Sequence, residues 1–187
     1  DLAESISWSI KSDNRVIVSS PAVALELENH GIMGQSPRLV KSYKRSVKSV
    51  VNAEFYKKSK IEEVYNELTL EFKGKFSLVF RMYDAGMAYR FETSLPKEVI
   101  VKSETINFDF PEAKQAYVPY IRESIYRYQA SYESPYDVKS LSDIYADSLI
   151  ILPFLVENYD GVKVVITEAD LEDYPGFYLH INGERNG

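Results

Sequence analysis

The sequence contains no cysteine, which removes disulfide staples, thiolate metal centres and cysteine nucleophiles together. That absence fixes no compartment, since exported bacterial proteins also do without cysteine. No apolar run approaches the ~18 residues of a membrane-spanning helix, so no membrane span is expected. The opening Asp1-Leu2-Ala3-Glu4 lacks the basic-then-apolar form of a signal peptide, which fits a processed protein or a piece that leaves the signal out. Histidine is scarce. His30 falls on a turn and His180 on an expected strand, where surface or hydrogen-bonded roles are the ordinary ones. G-x-S-x-G, a phosphate-cradling glycine loop, H-E-x-x-H and an EF-hand loop are all missing. What is present is 45% hydrophobic and 27% charged residues over 187 positions, enough to bury a core without staples and unlike a disordered chain.

Acids outnumber bases 28 to 22, and they are segregated. From Lys41 to Lys60 there are seven bases and one acid, Glu54. From Glu157 to Asp173 there are six acids and one base, Lys163. The basic stretch reads as a solvated strand edge and loop, where lysine also discourages edge-to-edge pairing. It carries no nucleic-acid motif and the chain as a whole is acidic, so no nucleic-acid partner is expected.

Period-two alternation recurs, the signature of strands with one buried face. Ile6, Trp8 and Ile10 share a side, and Asp13-Asn14 turns the chain before Arg15–Val18. Val23, Leu25 and Leu27 alternate with Ala24, Glu26 and Glu28. Val64, Leu68, Leu70 and Phe72 face away from Tyr65, Glu67, Thr69 and Glu71, and Lys73-Gly74 follows as a turn. Phe76, Leu78, Phe80 and Met82 alternate up to Asp84-Ala85-Gly86, expected as a three-residue link with a left-handed glycine, and 87–92 returns. Further strands are expected at 99–102, 105–110, 149–155, 162–167 and 177–181, while Ala113–Ser131 stays ambiguous. With little helix, no internal repeat and no linker, the expected fold is one all-β, mostly antiparallel sandwich domain over 1–187.

Two features bear on chemistry. Tyr117, Tyr120, Tyr126, Tyr128, Tyr132 and Tyr136 crowd one region and could stack on sugar rings, although aromatics also favour strands for packing alone. Glu168, Asp170, Glu172 and Asp173 follow the apolar run 162–167; extended geometry would put Glu168, Asp170 and Glu172 on one side. Clustered oxygens at a strand end suit calcium, yet solvated loop acids are the commoner outcome of such spacing.

The run Pro153-Phe154-Leu155-Val156-Glu157, then Asp160-Gly161, Ile166-Thr167-Glu168-Ala169-Asp170-Leu171, Asp173-Tyr174-Pro175-Gly176 and Tyr178-Leu179, resembles the N-terminal domain of glycoside hydrolase family 97. Leu25-Glu26-Leu27, Tyr65-Asn66-Glu67-Leu68, the run from Phe80 to Arg90 and Tyr132-Glu133-Ser134-Pro135-Tyr136 match in the same order, over nearly the whole chain. The resemblance implies a galactose-mutarotase-like β-super-sandwich from an exported, periplasmic bacterial α-glucosidase or α-galactosidase. It implies a catalytic (β/α)8 barrel elsewhere in the enzyme as this domain's partner, a carbohydrate substrate, and active-site calcium. Among these residues it assigns Glu168 as a calcium ligand. Against the family pattern the chain starts after the first strand and stops at Gly187 within the domain, so the sandwich is expected to be incomplete at its C-terminal end and prone to self-association. No catalytic residue is expected here, because no acid and base pair at glycosidase spacing can be assembled without the barrel. An autonomous carbohydrate-binding module and a structural or interaction sandwich are the competing readings.

Overall fold

A computed structural model describes residues 4–121, 127–129, 133–146, 148–172 and 174–182. The regular structure of the described chain is almost entirely strand, 57% against 4% helix, and its described pairings are antiparallel, the class that the alternation predicts. No described helix is long and apolar enough to cross a membrane. The chain divides into two compact units, residues 1–6 with 22–105 and residues 7–21 with 106–187.

The first unit is built on a meander of β4 (Leu39–Asn52), β5 (Lys60–Phe72), β6 (Phe76–Tyr83) and β7 (Gly86–Thr93), paired in that order. The apolar side read from the sequence is inward around Leu70, Phe72, Phe76 and Leu78, but Val64 and Met82 on that side are exposed. Leu70 pairs with Leu78 and Phe72 with Phe76, whose rings stack at 4.9 Å. They meet Ile6, Leu25, Leu27 and Met33 in a core where Leu78 is wholly buried, a burial that contributes about 2 kcal/mol. The opposite side of β5 carries Tyr65 and Glu67. β4 is exposed along its length except at Val47 and lies at the sheet edge, so the basic stretch is an edge strand followed by a turn-rich link, as its charge suggests. The hairpin between β6 and β7 differs from expectation. Tyr83 pairs with Gly86, leaving a two-residue link of Asp84-Ala85, and Gly86 is a strand residue rather than a left-handed one.

β1 (Ile6–Ser12), β3 (Gly31–Met33) and β8 (Val101–Ile106) each pair with β2 (Arg15–Leu27). The runs expected at 99–102 and 105–110 therefore give one six-residue strand, followed by a bridge between Ser19 and Asp109.

The second unit holds a sheet ordered β10 (Asp137–Lys139), β9 (Ala113–Val118), β11 (Phe154–Asn158), β12 (Lys163–Ile166). Ala116 lies opposite Val156 at its centre, and both are fully buried with Val18, Phe110, Val118, Ile144, Ile150 and Phe154 around them. The ambiguous stretch from Ala113 begins as β9 and includes a 3₁₀ turn at Arg127–Gln129; Ser131 lies outside the described residues. Two expected strands are shortened. Pro153 has no N–H to give a ladder, so β11 starts only at Phe154, and Ile150 makes isolated bridges to Tyr120 and Leu179 instead. The run 177–181 contributes only that Leu179 bridge.

Candidate functional site

β12 delivers the acidic segment. Val164 opposite Val156 and Ile166 opposite Phe154 hold the strand on the sheet, with Val164 and Ile166 turned toward the core. Carrying that alternation on by two residues makes Glu168 half-buried on the same side, which is how an apolar strand comes to aim a carboxylate. Extended geometry then stops: Asp170 takes a left-handed conformation, φ 62°. Asp170 and Glu172 are exposed, and the one-sided row of acids that unbroken extension would give does not form. Asp173 lies outside the described residues.

The chain returns through Tyr174-Pro175-Gly176, and the Phe177 N–H donates to Glu168 Oε2 at 2.8 Å. Oε1 faces Gly176, where an added Cβ would lie 3.8 Å from it. Among the described residues no lysine, arginine or histidine forms an ion pair with Glu168. Nor do three metal-ligating side chains gather anywhere among them. Glu168 is therefore one ordered oxygen donor, held by a neutral amide and left with lone pairs to give.

Two other motif acids, Glu157 and Asp160, are occupied. Glu157 accepts from the Gln115 amide at 3.2 Å and the Tyr117 hydroxyl at 3.3 Å, with the Lys114 and Lys163 ammoniums each at 3.8 Å. The Gln115 bond first, then the two lysines, hold its carboxyl below the usual carboxylate range. Asp160 pairs with Arg15 and accepts the Val162 N–H at 3.0 Å, fixing the turn between β11 and β12.

Sequence reasoning missed an ionic ladder in the first unit. Glu67, only 8% exposed, accepts from Arg45 at 2.6 Å and Arg81 at 2.9 Å, residues directly opposite it on β4 and β6. The Arg45 bond, aided by Arg81, keeps its carboxyl below the ordinary value. Arg81 also lies 4.6 Å from the centre of the Tyr65 ring. The signal was available as opposite charges one strand apart, but it needs the register to be read.

The tyrosines serve varied packing roles. Tyr117 bonds Glu157, Tyr120 rests against Tyr145 at 5.8 Å, Tyr128 meets Tyr178 edge-on and Tyr136 donates to the Pro153 carbonyl. Tyr126 and Tyr132 lie outside the described residues. A groove of about 510 Å³ beside β9 and β10 is lined by Gln115, Lys139, Ser140, Asp143 and Tyr145 among others, with Lys139 Nζ 3.9 Å over the Tyr145 ring. His30 and His180 are both exposed.

Comparison with known proteins places this geometry. The family model described as "Glycosyl-hydrolase 97 N-terminal" matches residues 1–187. A retaining α-galactosidase of Bacteroides thetaiotaomicron is 34% identical over 183 residues, which cover 95% of this chain and 28% of that protein. A glycoside hydrolase family 97 enzyme of Pseudoalteromonas sp. strain K8, solved with panose, superposes with a TM-score of 0.78 at 24% identity, over 99% of this chain and 28% of that one. A β-arabinopyranosidase structure superposes with a TM-score of 0.73 at 22% identity, over 89% of this chain and 28% of that one. At these identities the structural likenesses speak for the fold alone, and the chain spans about 28% of the length of each relative. A match over the whole chain to the family model settles the membership: the chain belongs to glycoside hydrolase family 97 and corresponds to its N-terminal domain.

Proposed function

We propose that residues 1–187 act as a single non-catalytic domain of a calcium-dependent α-glycosidase, packing on a catalytic (β/α)8 barrel and completing its active site through Glu168. The substrate class is α-linked oligosaccharides, in line with the retaining α-galactosidase and the panose-bound enzyme that the chain resembles. An exported, periplasmic setting is part of the same proposal.

The observation that carries the reading is the half-buried Glu168 carboxylate, oriented by the Phe177 amide and neutralised by no described cation. Calcium takes six to eight hard oxygen ligands at ~2.3–2.6 Å, gathered from several segments. With no three ligating groups together among the described residues, this chain fits the ion as the donor of one ligand and not as a complete cage. Bound calcium would supply a fixed positive charge beside the sugar. The work of this chain is to present one oxygen from a strand end with little freedom left.

The test is Glu168→Gln in the complete polypeptide that carries this domain, with glycosidase activity measured against free calcium. Half-saturation should move to at least about tenfold higher calcium, since the amide keeps the shape and removes the charge. An unchanged calcium requirement takes Glu168 out of the ligand set.

A further inference from the structure

The Phe177 amide is anchored from two directions. Two residues on, Leu179 and Ile150 exchange backbone hydrogen bonds at 2.9 Å each, and Ile150 is a fully buried core residue. On the side-chain side the Phe177 ring meets Phe108 edge-on at 6.4 Å, and Phe108 meets Trp8 in the same manner at 6.2 Å. Trp8, Phe108 and Leu179 all pack against the core cluster of the second unit. A rigid core thus fixes a ring and a backbone segment, and that segment aims one N–H at one oxygen of Glu168.

We propose that Phe177 is a positioning residue for Glu168: its ring, held by Phe108 and Trp8, fixes the backbone N–H that occupies Oε2 and so sets where Oε1 lies. This rests on the reading of Glu168 as a calcium ligand. A carboxylate already held by one hydrogen bond loses less freedom when it binds an ion, and partners of metal ligands commonly change affinity by about 10–100-fold when removed.

The experiment measures the calcium dissociation constant of the complete polypeptide by calorimetry for Glu168→Gln, Phe177→Ala, Phe177→Tyr and the double variant Glu168→Gln/Phe177→Ala. Phe177→Ala keeps the N–H but removes the ring anchor, leaving the segment held only through Leu179, and affinity should fall about tenfold. Phe177→Tyr keeps the ring contact and should bind like the parent. The double variant should bind no more weakly than Glu168→Gln alone, because Phe177 acts only through that carboxylate. Phe108→Leu, a gentler change in the same relay, should weaken binding in the same direction and keeps the test open if Phe177→Ala does not fold. If Glu168→Gln weakens calcium binding while Phe177→Ala and Phe108→Leu do not, the positioning role is overturned and the ligand assignment stands. Additive losses in the double variant would also overturn it, as would a Phe177→Tyr as weak as Phe177→Ala. If Glu168→Gln itself has no effect, the ligand assignment fails and the positioning role fails with it.

Discussion

At the scale of single residues, two glycines of similar appearance in the sequence have opposite fates. Gly34 sits at φ 100°, and a Cβ there would come within 2.4 Å of the Val23 carbonyl oxygen. Gly86 is neither left-handed nor crowded. Gly34→Ala should therefore lower stability by at least about 2 kcal/mol and Gly86→Ala should change it by less than about 0.5 kcal/mol, as read by denaturant melts. Glu67 makes a pH-dependent case. Its carboxyl is held below the ordinary 4.5 by Arg45 and Arg81, so the stabilisation it contributes is present above that value and is lost as pH falls through the lower folded value. Glu67→Gln should cost about 1–2 kcal/mol at pH 7, a figure reduced for solvent at the exposed Arg45. The gap to the parent should narrow steadily below pH 4.5 in melts followed across pH. A constant gap down to strongly acidic pH would show that the ladder owes nothing to charge.

Among elements, burial and not hydrophobicity decides what each strand position is worth. Val156 on β11 is fully buried against Ala116, whereas Val165 on β12 is 52% exposed. Val156→Ala should cost about 2 kcal/mol by lost transfer energy and the cavity left behind, and Val165→Ala should lie within about 0.5 kcal/mol of the parent. Urea midpoints compared at equal slope check both. The alternation behind this contrast was legible in β2 and where β5 and β6 meet the core around Leu70 and Leu78, but farther along these two strands Val64 and Met82 are exposed and Tyr65 and Glu67 are buried instead. It failed where tertiary contacts set the outcome. Expected strands at 149–155 and 177–181 reduce largely to the Ile150 and Leu179 bridge, and Pro153 delays β11. The turn after β6 was visible as Asp84-Ala85-Gly86, but its length depends on the register that pairs Tyr83 with Gly86.

At the scale of the whole molecule, the described residues form one core cluster around Leu78 and another around Val156, and the second supports the segment bearing Glu168. The acids of that segment were legible as a strand-end cluster. Their sorting was not: Asp170 leaves the row through a left-handed turn, and the Phe177 donor lies nine residues beyond its acceptor, brought back by loop closure that no local pattern encodes. Under the proposed function this domain lends a supporting carboxylate, and the two carboxyl groups that glycoside cleavage needs, about 5–9.5 Å apart across a bound sugar, come from the barrel. The most direct check is steady-state release of p-nitrophenol from p-nitrophenyl α-galactoside and α-glucoside by the purified 187-residue chain, with and without calcium. No release above the buffer rate is expected in either case, and turnover that disappears on substituting a single acid of this chain would contradict the account.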